Sequence, residues 1–331
     1  MNIFSTSLSR AALTLIGITC IAMGPLEAAA QASTYPERAI TMIVPFPPGG
    51  PTDVFARVLA QRLGEELNQS VIVDNRGGAA GNIGVAAAAK THPDGYTILF
   101  GTASIAIAPS VYKTLAYDPL TDLLPVALVG TVPPIVLVPP NGPDNIQELV
   151  KLLKENPGQY SYATSGHATA THLVTELFNK YAKVNAIHVP YRGSGPAKQG
   201  LLSNLHLYTF ETASSTMSVI KSGQLKPIGI AADKRSAILP DVPTIAEAGI
   251  AGVNGSTWNM VFVPAGTAPS IVKTLNTAVN KALLDAPTAK KLATLAVDTT
   301  TDSTPASAKQ YLSDEIKRWK EIVKVTGVST N

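Results

Sequence analysis

The chain has 331 residues, 45% of them hydrophobic, a formal net charge of +3 and one cysteine. That is enough apolar material for one large or two medium globular domains. Its 26 basic and 23 acidic residues are dispersed without a Lys/Arg run, which excludes nucleic acid as an electrostatic partner.

In chain order, the first feature is Arg10 followed by an apolar run over residues 11–23 and then "LEAAAQAS". Ala28 with Ala30, or Ala30 with Ala32, offers a small-residue cleavage site, so residues 1–32 read as a secretory signal too short to span a bilayer. Cys20 lies inside it, preceded by Thr19 rather than a small residue, which disfavours lipidation; the exported chain is expected to have no thiol or disulfide chemistry.

Next comes "ITMIVPFPPGGPTDVFARVLAQRL". Residues 40–44 are short, apolar and β-branched, as a covered strand is. From Pro51, suited to a first helical position, Val54, Val58, Leu59 and Leu63 recur at helical spacing, and Asp53 falls where a carboxylate complements the helix dipole. A glycine loop opening into a helix aims backbone N–H groups outward, which suits an anion. The alternation then repeats. "SVIVDN" precedes "GNIGVAAAAK"; "YTILFG" follows; "PPIVLVPP" precedes "NIQELVKLLKEN"; "AIHVPY" leads to "GPAKQGLL"; "KPIGIAA" and "MVFVPAG" lead to "IVKTLNTAVNKALL". Residues 306 to about 325 read as an amphipathic closing helix carrying Tyr311, Leu312, Ile316 and Trp319. This is α/β architecture, expected with mostly parallel sheets. Pro-rich joints at "VGTVPPIVLVPP" and "VNGSTWNMVFVPAGTAPS" bracket a middle third. They predict a discontinuous first domain of residues 33–134 plus 258–331 and a second of residues 135–257. A small-molecule cleft would lie between the two.

Two motifs mislead. "VIVDNRGGAAGNIGVA" gives GxxGxxG rather than GxGxxG, and no acidic residue closes the following strand to hold a ribose, so its glycines read as a turn and close packing. Ser165 and Ser194 lack a nucleophile elbow. His167 and His172, five apart, share no helical face, and no further metal ligand stands at plausible spacing. These two, with His92, His188 and His206, read as single exposed or hydrogen-bonded histidines. No catalytic residue, metal or cofactor is expected.

What remains is a set of strand-to-helix loops rich in Gly, Ser and Thr. They are "PFPPGGPTD", "FGTAS" with Thr102 and Ser104, "ATSGHATATH" with Ser165, Gly166, Thr169 and Thr171, and "VPYRGSGPAK" with Arg192. Each alone serves as a cap; together they favour a small anion, with carboxylate the natural choice.

The blocks "YPERAITMIVPFPPGGPTDVFARVLAQRL", "VIVDNRGGAAGNIG", "HPDGYTIL", "YATSGHATATHL", "HVPYRGSGPA" and "LPDVPTIAEAG" resemble, in order, those of the Bug receptors, the periplasmic solute-binding subunits of tripartite tricarboxylate transporters. The resemblance runs from Tyr35 almost to the C-terminus. It implies a two-domain periplasmic-binding-protein fold of type II, closing about a two-strand hinge, and a monomer that delivers a carboxylated solute to membrane permease subunits. Carried over by position, it implies Phe46, Pro48, Gly49 and Gly50 in one loop, Ser165, Gly166 and Thr169 in the other, and Trp258 near the return crossing. Where family members often have an aspartate that can receive an amino group, this chain has Glu211. That residue can hydrogen-bond a ligand, pair with Arg192 or cap the helix from Ala213, and its presence puts an amino-acid solute in doubt. Phe46, Tyr191 and Trp258 would supply apolar walls, so a dicarboxylate or an aromatic carboxylate is favoured. Two other readings share the cleft: a receptor that reports to a sensor kinase, and an exported hydrolase.

Overall fold

The computed structural model describes residues 35–329; the expected signal segment, with Cys20, lies outside them. β1 (Ile40–Val44) is covered on both faces, with Ile40, Met42, Ile43 and Val44 all buried. The chain continues through α1 (Pro51–Leu67), β2 (Val71–Asn75), α2 (Asn82–Ala89), β3 (Thr97–Thr102) and α3 (Ser104–Val111). α1 turns Phe55, Ala56, Leu59, Ala60 and Leu63 inward, the stripe its sequence spacing predicts. The glycines of the "GGAAGNIG" block do serve packing. A Cβ at Gly84 would stand 2.5 Å from the Arg76 carbonyl oxygen and 2.9 Å from Pro45 Cα, so only glycine lets α2 lie this close to the first strand loop.

β4 (Leu123–Val132) leaves the first sheet and β5 (Pro134–Val138) opens the second, with Pro133 alone between them. The second layer adds α4 (Ile146–Glu155), β6 (Ser161–Thr164), α5 (Ala170–Ala182), β7 (Ile187–Pro190), α6 (Ser194–Leu202), β8 (Tyr208–Thr212), α7 (Ala213–Lys221) and β9 (Lys226–Ile230). β10 (Thr257–Pro264) returns to the first sheet, followed by α8 (Pro269–Leu284), α9 (Ala286–Thr294), β11 (Asp298–Thr299) and α10 (Pro305–Thr326). The sheets run β11-β4-β10-β3-β1-β2 and β7-β6-β8-β5-β9. The result is the α/β fold with two sheets and a pair of crossings between them.

The sheets are mixed rather than mostly parallel. Parallel pairing joins β1 to β2 and β3, and β6 to β7 and β8. β10 lies antiparallel to both β3 and β4, and β5 is antiparallel to β8 and β9. The cause is the crossing itself: β4 carries the chain out and β10 carries it back, so the two run in opposite directions side by side. Their register slips between Val261 and Phe262, where Phe262 faces Pro125, a residue with no N–H to give the ladder. No helix among the described residues is long and apolar enough to cross a membrane.

α10 fastens the returning segment. Its Glu315, 8% exposed, accepts the indole N–H of Trp258 at 2.8 Å and that of Trp319 at 3.0 Å. Arg318 donates to the same carboxylate at 2.7 and 2.8 Å and reaches the Ser256 carbonyl at 3.3 Å. Both indoles are fully buried, so their N–H groups have no water to fall back on. Replacing Glu315 by Ala leaves two buried donors and a guanidinium without their acceptor. It should cost about 3 kcal/mol, at the low end for a broken buried pair because Arg318 keeps some contact with water. Chemical denaturation followed by tryptophan fluorescence measures this directly, since these are the chain's only 2 tryptophans. An unchanged midpoint would show that the carboxylate holds nothing.

Candidate functional site

Loops from both sheets enclose one cavity of ≈ 180 Å³, room for a small solute. Each parallel βα unit places the N-terminus of its helix at the C-terminal end of a strand. Among the described residues, five helices begin at this wall. α1 contributes Gly50, Pro51 and Thr52, α3 contributes Ser104, α5 Thr169 to Thr171, α6 Ser194 to Pro196, and α7 Ser214 after its cap Thr212. The amides of a first helical turn have no carbonyl within the helix to bond, and the macrodipole adds partial positive charge there. The cavity is therefore positive by backbone alone.

The first loop is held from behind. Asp53, 3% exposed, accepts from the Gly49 amide at 2.9 Å, from Arg57 Nε at 3.0 Å and from Asn75 Nδ2 at 2.9 Å. Burial opposes its ionisation, but Arg57, the Gly49 amide and Asn75 outweigh burial and hold its carboxyl below the ordinary value. Asp53 thus does more than complement the dipole. It fixes the Pro-Pro-Gly-Gly turn, and the Gly49 amide is spent on that task rather than offered to a ligand.

The second loop is a knot of hydroxyls. Ser165 Oγ lies 3.0 Å from Thr171 Oγ1, Thr171 Oγ1 lies 3.1 Å from Thr169 Oγ1, and Thr169 Oγ1 donates to the Gly166 carbonyl at 2.8 Å. Opposite, Thr102 Oγ1 and Ser104 Oγ are 2.8 Å apart. Two charged side chains also line the wall. Arg192 is exposed and makes no ion pair among the described residues. Glu211 is fully buried; one carboxylate oxygen takes the Ser215 hydroxyl at 3.3 Å, and the other, Oε1, has no partner. Burial pushes its pKa up to about 7, against the hydroxyls of Ser194 and Ser215, the Thr212 amide and the Lys198 charge, which act the other way. Near neutrality it is as much a neutral donor as an anion.

Of the residues expected from sequence, Phe46, Pro48, Gly49, Gly50, Thr102, Ser165, Thr169, Arg192 and Glu211 come together on this wall. Three stand elsewhere. Gly166, at φ 148°, shapes the loop from behind without lining the cavity. The Tyr191 hydroxyl bonds His206 Nε2 at 2.8 Å instead of facing the cleft. Trp258 is turned toward α10, while its strand neighbours Thr257 and Asn259 face the cavity. Strand side chains alternate between faces, so placing the site on β10 one residue off selects the wrong face. Of the expected ion pair and helix cap at Glu211, no pair with Arg192 forms among the described residues, and the N-cap residue of α7 is Thr212. Asn259, Ser194 and Ser214 were missed; the last two stand in the first turns of α6 and α7, the signal used for the other loops.

The family described as the tripartite tricarboxylate transporter family receptor matches residues 55–328 of the chain. The protein BugT of Bordetella pertussis is 39% identical over 318 residues, 95% of this chain and 97% of its own. Two solved structures are also similar. The periplasmic binding protein BugD is 34% identical, with a TM-score of 0.86 over 90% of this chain and all of its own. Rpa4515 from R. palustris, solved with adipate, is 33% identical, with a TM-score of 0.85 over 89% of this chain and 99% of its own. With a family match over most of its length and a two-sheet fold to go with it, the chain belongs to the Bug-type receptor family of the tripartite tricarboxylate transporters, whose members are solute-binding proteins and not enzymes.

Proposed function

We propose that this receptor works in the periplasm, captures an aliphatic dicarboxylate between its two lobes and delivers it to the permease of a tripartite transporter. The observation that carries this reading is the convergence of five helix N-termini on one small cavity whose only other charged groups are an exposed arginine and a buried carboxyl. One ligand carboxylate takes first-turn amides and hydroxyls; the other end meets Arg192 and the Oε1 of a protonated Glu211. The relative solved with adipate supports an aliphatic dicarboxylate. So does the wall, since of the three aromatics expected to flank a ring only Phe46 is on it. Residues 33–134 with 258–331 and residues 135–257 act as the two closing bodies, turning about the β4–β5 and pre-β10 crossings, and the ligand stabilises the closed form by bridging them.

Thermal shift against dicarboxylates of increasing length, matched monocarboxylates and matched diamides tests the class. A solute that binds only the folded state at a hundred times its Kd adds about 2.7 kcal/mol of stability, a rise of several degrees. The expected result is a rise with one or a few dicarboxylates and none with their diamides. Equal shifts with the uncharged diamides, or none with any carboxylate, would overturn the reading.

Glu211 predicts the pH dependence. Its folded pKa is raised from 4.5 to about 7, so the proton it donates to a bound carboxylate is present below that value and lost above it. Affinity for the dianion should be greatest below neutrality and fall by up to about tenfold per pH unit above it. Glu211→Gln, which keeps a neutral donor at every pH, should flatten the profile between about pH 6 and pH 8. Calorimetric Kd values across that range decide the matter, and a flat wild-type profile would remove Glu211 from the binding role.

A further inference from the structure

Three of the chain's 5 histidines, read from sequence as isolated, meet in one place. His167 is exposed on the β6–α5 loop, His172 is buried in the first turn of α5, and His188 is half-buried on β7. The third member stands 16 residues beyond His172 in the chain, which is why spacing did not reveal it; the parallel pairing of β6 with β7 brings it in. One ring nitrogen from each lies within 4.8 Å of the others, and none of the three is on the wall of the anion cavity.

We propose that His167, His172 and His188 form a binding site for a divalent transition-metal ion of the zinc class, separate from the solute cavity. The donor set argues for this class: three imidazoles and no carboxylate suit borderline ions and not calcium or magnesium. Two rings are held as metal-bound histidines are, each with one ring nitrogen against a protein oxygen. His167 Nε2 donates to the Ser329 carbonyl at 3.1 Å, and His188 Nε2 meets Thr164 Oγ1 at 2.7 Å. With Nε2 carrying the proton in both, the Nδ1 lone pairs are left for an ion.

Capture requires movement. Nitrogens bound to one tetrahedral ion at about 2.0–2.1 Å lie roughly 3.3 Å apart, so the three must draw together. His172 and His188 are stacked, with centroids 3.8 Å apart and planes 12° from parallel, and must turn out of that stack to converge. His172 Nδ1 also accepts the Ala168 amide at 3.1 Å, which puts its proton on Nε2. Coordination through Nε2 shifts that proton to Nδ1 and ends the bond to Ala168. The exposed position of His167 leaves the fourth coordination position open to water.

The test is calorimetric titration of zinc into the tag-free, EDTA-stripped full protein in a non-chelating buffer. It is paired with the same titration of His167→Asn and of His92→Asn, an exposed histidine on another loop. Because His167 is exposed, its substitution should leave the fold intact, which circular dichroism checks. The expected result is one saturable equivalent in the wild type and in His92→Asn, weakened at least about tenfold in His167→Asn. Copper(II) at the same site should give an electron paramagnetic resonance spectrum with three-nitrogen coupling, reduced to two by His167→Asn. No saturable equivalent, or one that His167→Asn leaves unchanged in both readouts, would overturn the proposal.

Discussion

The amides of a helix's first turn cannot be satisfied within the helix, and five helices of this chain present theirs to one enclosed space. In water such groups are solvated at little cost. Where water is excluded they must find an acceptor, and a small anion is the acceptor that meets several at once. Much of the architecture serves that arrangement. Parallel βα units set the helix starts at one end of each sheet, and the crossing strands put the two ends face to face. Ser, Thr and Gly at the helix starts let a ligand approach the backbone and supply hydroxyls that can donate or accept.

Against this background the buried Glu211 is an exception that needs a reason. A carboxylate held ionised in a positive, enclosed site would compete with the ligand for the same donors. Arg192 does not neutralise it, and Lys198 spends its ammonium on the Ser215 carbonyl at 2.8 Å. β5 brings only apolar residues alongside it, and on β6 the tyrosine Tyr162 is engaged by Glu176. Burial outweighs the Ser194, Ser215 and Thr212 donors and the Lys198 charge, so the carboxyl's pKa is raised and it can change from rival to donor. Asp53 makes the contrast clear. It lies nearer the surface and has the Arg57 guanidinium among its donors, so its charge is retained, and it braces the loop instead of meeting the solute.

Local chemistry was legible in the sequence; lateral placement was not. The start of α1 at Pro51, the strand from Ile40 and the hydroxyl-rich loops follow from periodicity and capping, which act within a few residues. Trp258 was misplaced because the choice between two faces of a strand depends on what packs against each, and the partner, Glu315, is 57 residues away. Tyr191 was expected as an apolar wall for a ring, while its hydroxyl found His206. The direction of β10 and β5 was likewise invisible: strand–helix alternation is the same whether a strand joins its sheet parallel or antiparallel. The histidine cluster failed for the same reason, since its third member arrives through sheet pairing rather than spacing.

Under the proposed two-lobe closure, the crossing region decides how the lobes move. β4 and β10 pair over their whole shared length and so belong to the first sheet as a unit, and bending is left to Pro133 and the residues just before Thr257. Arg318 grips that second stretch through the Asn254 and Ser256 carbonyls, and α10 packs against both α3 and α5. The helix therefore touches both lobes while its polar anchor, the Trp258–Glu315 bond, is on the first. Polar ties also reach the helix from the other side, from the Asn254 and Ser256 carbonyls to Arg318 and from His167 to the Ser329 carbonyl just beyond α10. Under the proposed closure, any shift of α5 across α10 must carry the His167 bond along or exchange it for water, because a buried polar group left unpaired is costly.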